Sequence, residues 1–177
     1  IFTPITGKAN MNNTEAAVIE RLRASPDYVE KFAVAFKDDG ITRATVEKAL
    51  ATFERTIISP EAPFDKWVNG EEAAISDAAK RGFEVFNGKA GCSACHSGWS
   101  FTDGDFYDIG SARGEDIGRG RLFKDSAKLQ YSFKTPTLRD VAKRAPFMHD
   151  GSIATLEKVI EHYDQGGIDR PSRSHFI

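Results

Sequence analysis

Apolar positions recur at helical spacing along most of the first ninety residues. Asn13 or Thr14 can cap a helix running to Ala24, with Ala17, Val18 and Leu22 along its apolar side. Ser25-Pro26 is a second start, a serine at the cap and a proline in the first turn. That pattern predicts a helix over about 27–37 carrying Tyr28, Phe32, Ala35 and Phe36, ended by Gly40. Thr42 begins a third helix reaching about Ile58, with Val46, Leu50, Phe53 and Ile57 in its stripe. Residues 1–12 hold Pro4, Gly7 and two Asn, and read as an irregular linker. After Ser59-Pro60-Glu61-Ala62-Pro63, Ser76 caps a helix in which Ala79, Phe83 and Phe86 can face one way, and Asn87-Gly88 stops it. From Phe101 to Gln130 no period survives, so this stretch is expected to be long loops. A short helix over 138–143 and a last one over about 155–164, closed by Gly166-Gly167, complete the pattern. Strand signals are few, and the expected class is mainly α.

The helix capped by Ser76 leads straight into Gly91-Cys92-Ser93-Ala94-Cys95-His96-Ser97-Gly98-Trp99-Ser100. Cys92-x-x-Cys95-His96 is the attachment motif of a c-type haem. Two thiols three positions apart can each join one vinyl group of the same porphyrin, and the next residue then lies beneath the iron. Gly91 and Gly98 suit a chain that bends tightly around a flat group. A disulfide would leave His96 idle, and a redox dithiol belongs with a βαβ pattern that is missing here. A zinc site would need further grouped ligands, yet the chain's two cysteines both lie inside the motif. Trp99 beside the motif is a packed aromatic or an electron conduit.

An electron-transfer haem commonly takes a sixth iron ligand from the protein. Met148, in the turn Ala145 to Gly151, is one candidate; His149 and His162 are others. Tyr163 shares a helical face with Leu156 and Ile160, a face expected to pack inward. Spacing alone does not choose among them.

Composition narrows the partners. The chain has 177 residues, 40% hydrophobic and 28% charged, with a net charge of −2. That charge argues against nucleic acid or an anionic membrane as partner, and no apolar run is long enough to span a bilayer. The first residues show no charged or apolar leader. Covalent haem attachment takes place outside the cytoplasm, so the periplasm is expected, with an export signal lost upstream.

With these motifs in view, the chain resembles the bacterial di-haem cytochrome c peroxidases, including the methylamine-utilisation protein G type. The resemblance runs through Ala49 to Thr56, Ala79 to Phe83, the haem motif, Phe133 to Val141, Ala145 to Gly151 and Thr155 to Gly167, in the family's order. It implies a cytochrome c-like haem domain over 71–177, the C-terminal one of the family, preceded by a small helical unit over 1–70. The chain would begin just after the N-terminal haem domain and stop before the family's closing helix. The absent domain would hold a second haem where peroxide reacts, and the present haem would relay electrons to it. Cys92, Cys95 and His96 would bind haem c. Tyr163 matches the position of the distal ligand, which is Met in the peroxidases and Tyr in the quinone-forming members, so the metal ligands would be His96 and Tyr163. A calcium ion partly held by carbonyls of Arg144 to Pro146 is implied between the domains. Expected partners are the N-terminal haem domain, and a small periplasmic electron donor or a protein substrate, with a homodimer as a further candidate. Peroxidases of the family often carry Glu-Met where this chain reads Asn10-Met11, and an amide cannot exchange a proton as that Glu does. No catalytic residue is assigned. The rival expectation is a stand-alone electron-transfer cytochrome without peroxide chemistry.

Overall fold

A hydroxyl at the head of a helix satisfies a backbone donor that the first turn leaves unpaired. Four helices in the computed structural model, which describes residues 2–177, begin this way. The side chains of Thr14, Thr42, Ser76 and Thr155 accept from the N–H groups of Ala17, Thr45, Ala79 and Lys158. The helices are α1 (Phe2–Thr6), α2 (Glu15–Arg23), α3 (Pro26–Phe36), α4 (Arg43–Thr56), α5 (Pro63–Val68), α6 (Asp77–Asn87) and α7 (Leu156–Asp164). The protein is mainly α, as its pattern predicts.

The chain divides into two compact units, Ile1–Pro60 and Glu61–Ile177. In the first, Phe2, Phe32, Ile41 and Val46 form a buried cluster, against which Ile5, Ile19, Leu22, Phe36, Ala49 and Leu50 pack. The expected linker over residues 1–12 therefore contains α1, because burying Phe2 outweighs the turn-prone composition around it. The stripe of α4 splits: Val46 is 5% exposed, whereas Phe53 and Ile57 are 64% and 70% exposed. The cluster ends before it reaches their turns.

The second unit holds α5 to α7 and two short strands, β1 (Phe106–Tyr107) and β2 (Phe133–Lys134). These pair antiparallel with Phe106 opposite Lys134 and Tyr107 opposite Phe133. The helix α5, unassigned by pattern, starts on Pro63 and is closed by Asp65, whose carboxylate accepts from the Ala62 N–H at 2.7 Å. The expected helix over 138–143 is only a 3-10 turn, Val141–Lys143, because Asp140 has a left-handed φ of 56°. Rings of Phe64, Trp67, Phe83, Phe86 and Phe101 meet edge to face or stacked, which joins α5 and α6 to the segment after the motif.

The aperiodic stretch is ordered by polar bonds. Asp108, 1% exposed, accepts from Arg170 Nε at 2.7 Å, Arg170 Nη2 at 2.9 Å, Ser172 Oγ at 2.6 Å and the Gly110 N–H at 2.9 Å. A buried carboxylate needs such saturation. Among the described residues, no helix is long and apolar enough to cross a membrane.

Candidate haem site

The helix α6 ends at Asn87, and Gly91 then takes a left-handed φ of 63°. A Cβ there would meet nothing within 4 Å, so glycine serves the backbone bend and not a close contact. The bend opens a 3-10 turn, Cys92–Ala94, and the Cys92 carbonyl accepts from the His96 N–H at 2.9 Å. One turn therefore presents both sulfurs and the imidazole. The thiols are free and half-buried. Burial pushes both thiols up, and the charge of Asp103 pushes Cys95 further, so both stay protonated at neutral pH.

His96 Nδ1 lies 2.9 Å from the Phe101 carbonyl. A carbonyl oxygen can only accept, so Nδ1 carries the proton and the Nε2 lone pair is left available. Ligating histidines are oriented in this way by a bond on the other ring nitrogen. Phe101 reaches this position with a φ of 49°, in the left-handed region. The sequence gives no sign of this acceptor, because every residue carries a carbonyl.

On α7, Leu156, Val159 and His162 are half-buried while Ile160 is 63% exposed. The expected inward stripe is thus rotated by about one residue. Tyr163 lies at its edge, 36% exposed. Its phenol is pushed up to about 12, chiefly by burial. Its ring meets that of His162 at 5.7 Å between centroids.

The two histidine candidates are engaged elsewhere. His162 Nε2 donates to the Ile109 carbonyl at 2.9 Å. His149 Nε2 is 2.6 Å from Asp116, with its ring stacked on Phe133 at 3.6 Å between centroids. Met148 sits half-buried at a φ of 71°. Trp99 is 59% exposed, with the Arg139 guanidinium 4.5 Å from its ring centroid.

A haem c requires two thiols on one turn, an oriented imidazole with a free nitrogen, and apolar walls. The residues present fit that group: Cys92, Cys95, His96 Nε2 and the half-buried Phe83 and Phe86. Among the described residues, no three His, Cys, Asp or Glu side chains gather as a metal-ion site of their own.

Comparison with known proteins agrees. Residues 1–73 match the family model described as di-haem cytochrome c peroxidase. Methylamine utilization protein MauG of Methylorubrum extorquens is 51% identical over 173 residues, covering 97% of this chain and 49% of that protein. The MauG of Methylophilus methylotrophus is 49% identical, over 97% of this chain and 52% of that protein. The chain spans about half the length of these curated relatives. Among solved structures, a MauG-like protein associated with microbial copper homeostasis superposes with a TM-score of 0.85 at 30% identity, covering 98% of this chain and 57% of that one. The chain belongs to the di-haem cytochrome c peroxidase and MauG family.

Proposed function

We propose that this chain is the haem c-bearing C-terminal part of a periplasmic di-haem oxidoreductase that uses hydrogen peroxide. It would pass electrons between its own haem and a second haem domain. The observation that carries this reading is the single turn that presents Cys92, Cys95 and a His96 oriented by the Phe101 carbonyl. When bound, the haem supplies one-electron redox chemistry. Cys92 and Cys95 would tether it, and His96 Nε2 would bind its iron. Tyr163 would supply a second iron ligand through its phenolate oxygen. The haem domain would lie in the second compact unit, which begins at Glu61 and not at the expected residue 71, and the helical unit before it is Ile1–Pro60.

Burial pushes the Tyr163 phenol up to about 12, so binding a ferric iron would require this residue to give up its proton. A hard anionic oxygen suits the oxidised metal. This favours storing oxidising equivalents and oxidising a partner protein over relaying electrons at high potential from a small periplasmic donor. A calcium ion would rest on the carbonyls of Arg144 to Pro146, hard oxygens of the kind it prefers.

The test is the absorption and electron paramagnetic resonance spectrum of the ferric protein beside Tyr163→Phe. Loss of a phenolate-to-iron band in the variant is the expected result. A methionine-to-iron band unchanged in Tyr163→Phe and lost in Met148→Leu would overturn the Tyr163 assignment. Because ligation releases a proton, acidification is expected to favour the unligated phenol, so the same band should fade reversibly as the pH is lowered.

A further inference from the structure

The bond that orients His96 depends on where the Phe101 carbonyl is held, and the segment around it is gripped at every residue. Arg139 Nε donates to the Trp99 carbonyl at 2.8 Å. The Thr137 hydroxyl donates to the Ser100 carbonyl. Phe101 accepts from His96, and the Thr102 hydroxyl donates to the Thr135 carbonyl at 2.7 Å. Thr137 and Arg139 act here through their side chains and Thr135 through its backbone carbonyl.

Arg139 is itself fixed. It is 8% exposed, and its two terminal nitrogens meet both oxygens of Asp65, one of them at 2.8 Å. A bidentate pair of this kind sets direction as well as charge. The guanidinium also lies 4.5 Å and 5.4 Å from the ring centroids of Trp99 and Phe101. Phe101 needs such support: a left-handed φ in a bulky residue is costly and persists only where its surroundings impose it.

We infer that Arg139 and Thr137 are positioning residues for His96: by fixing the Phe101 carbonyl they set how strongly the imidazole donates to the haem iron. The inference rests on the haem c reading of the site. A firm bond from Nδ1–H to a carbonyl leaves more electron density on Nε2, and a more basic imidazole stabilises the ferric over the ferrous state. Loosening the carbonyl therefore raises the reduction potential of this haem.

The experiment uses the full-length, haem-loaded protein. It measures the midpoint potential of this haem and the iron–imidazole stretching frequency of its reduced form. The variants are Arg139→Gln, Arg139→Lys, Thr137→Val and Thr137→Ser. Arg139→Gln and Thr137→Val should raise the potential and lower the frequency. Arg139→Lys, keeping one donor, should fall between, and Thr137→Ser, keeping the hydroxyl, should restore wild-type values. Variants that load haem and melt earlier at unchanged potential and frequency would show that Arg139 and Thr137 only stabilise the fold, and would overturn the inference. If Arg139→Gln fails to fold, Thr137→Val decides alone, since it removes a single hydroxyl. A wild-type protein without covalent haem, or with iron ligation insensitive to His96→Gly, would sink the haem reading itself, a result distinct from unchanged potentials.

Discussion

Asp65 illustrates how one carboxylate can hold a site it never touches. Its bond from Arg139, then the Ala62 N–H, keep its carboxyl below the ordinary value of 3.8. A buried pair that loses one partner costs about 3–5 kcal/mol, and since Asp65 keeps 18% of its side chain exposed, about 2 kcal/mol is expected for Asp65→Asn. The folded pKa is depressed, so this stabilisation is complete above pH 3.8 and is lost as the pH falls through the lower folded value. Denaturant titrations of both proteins at neutral and acidic pH should show the gap closing in acid. At the proposed iron, His96→Gly should leave the haem covalently attached while removing its axial imidazole; added imidazole should restore the spectrum. Cys92, Cys95 and His96 are legible in sequence because their side chains carry the chemistry. The Phe101 acceptor is not, because it is backbone, and its role comes from a dihedral angle imposed by distant residues.

Helix starts are the elements that sequence displays best, since a cap is a local event between a hydroxyl and an N–H three residues on. The elements missed, α1 and α5, are short and contain prolines that read as breakers. Tertiary burial decides the first and a first-turn proline the second. Where α7 meets the loop after β1, two glycines pass each other: a Cβ on Gly167 would strike the Ile109 carbonyl, and its φ of 61° is left-handed. Gly167→Ala is expected to cost about 2 kcal/mol or more in thermal or denaturant unfolding. If Tyr163 is an iron ligand, the same change should weaken its band. In the first unit, Phe32→Ala should cost about 3–5 kcal/mol, as a core ring replaced by a methyl does.

Across the whole molecule, the two compact units are stabilised by different means. The first is a hydrophobic cluster between helices, and its pattern announces it. The second relies on buried charged side chains, Asp108 and Arg139, whose partners lie far away in the chain. No periodicity encodes such contacts, so the stretch after the haem motif looked structureless. Asp108→Ala strands Arg170 and Ser172 and should free the segment beyond Gly167 to proteolysis well before the first unit is cut; equal cleavage in wild type and variant would refute this anchoring role. The grip on Trp99 to Thr102 has a further consequence, for the kinetics of electron exchange. At the proposed haem, an imidazole whose acceptor is held on both sides along the chain would move little when the iron gains or loses an electron. The reorganisation energy contributed by the protein at this centre is then small, and distance and driving force set how fast charge arrives or leaves.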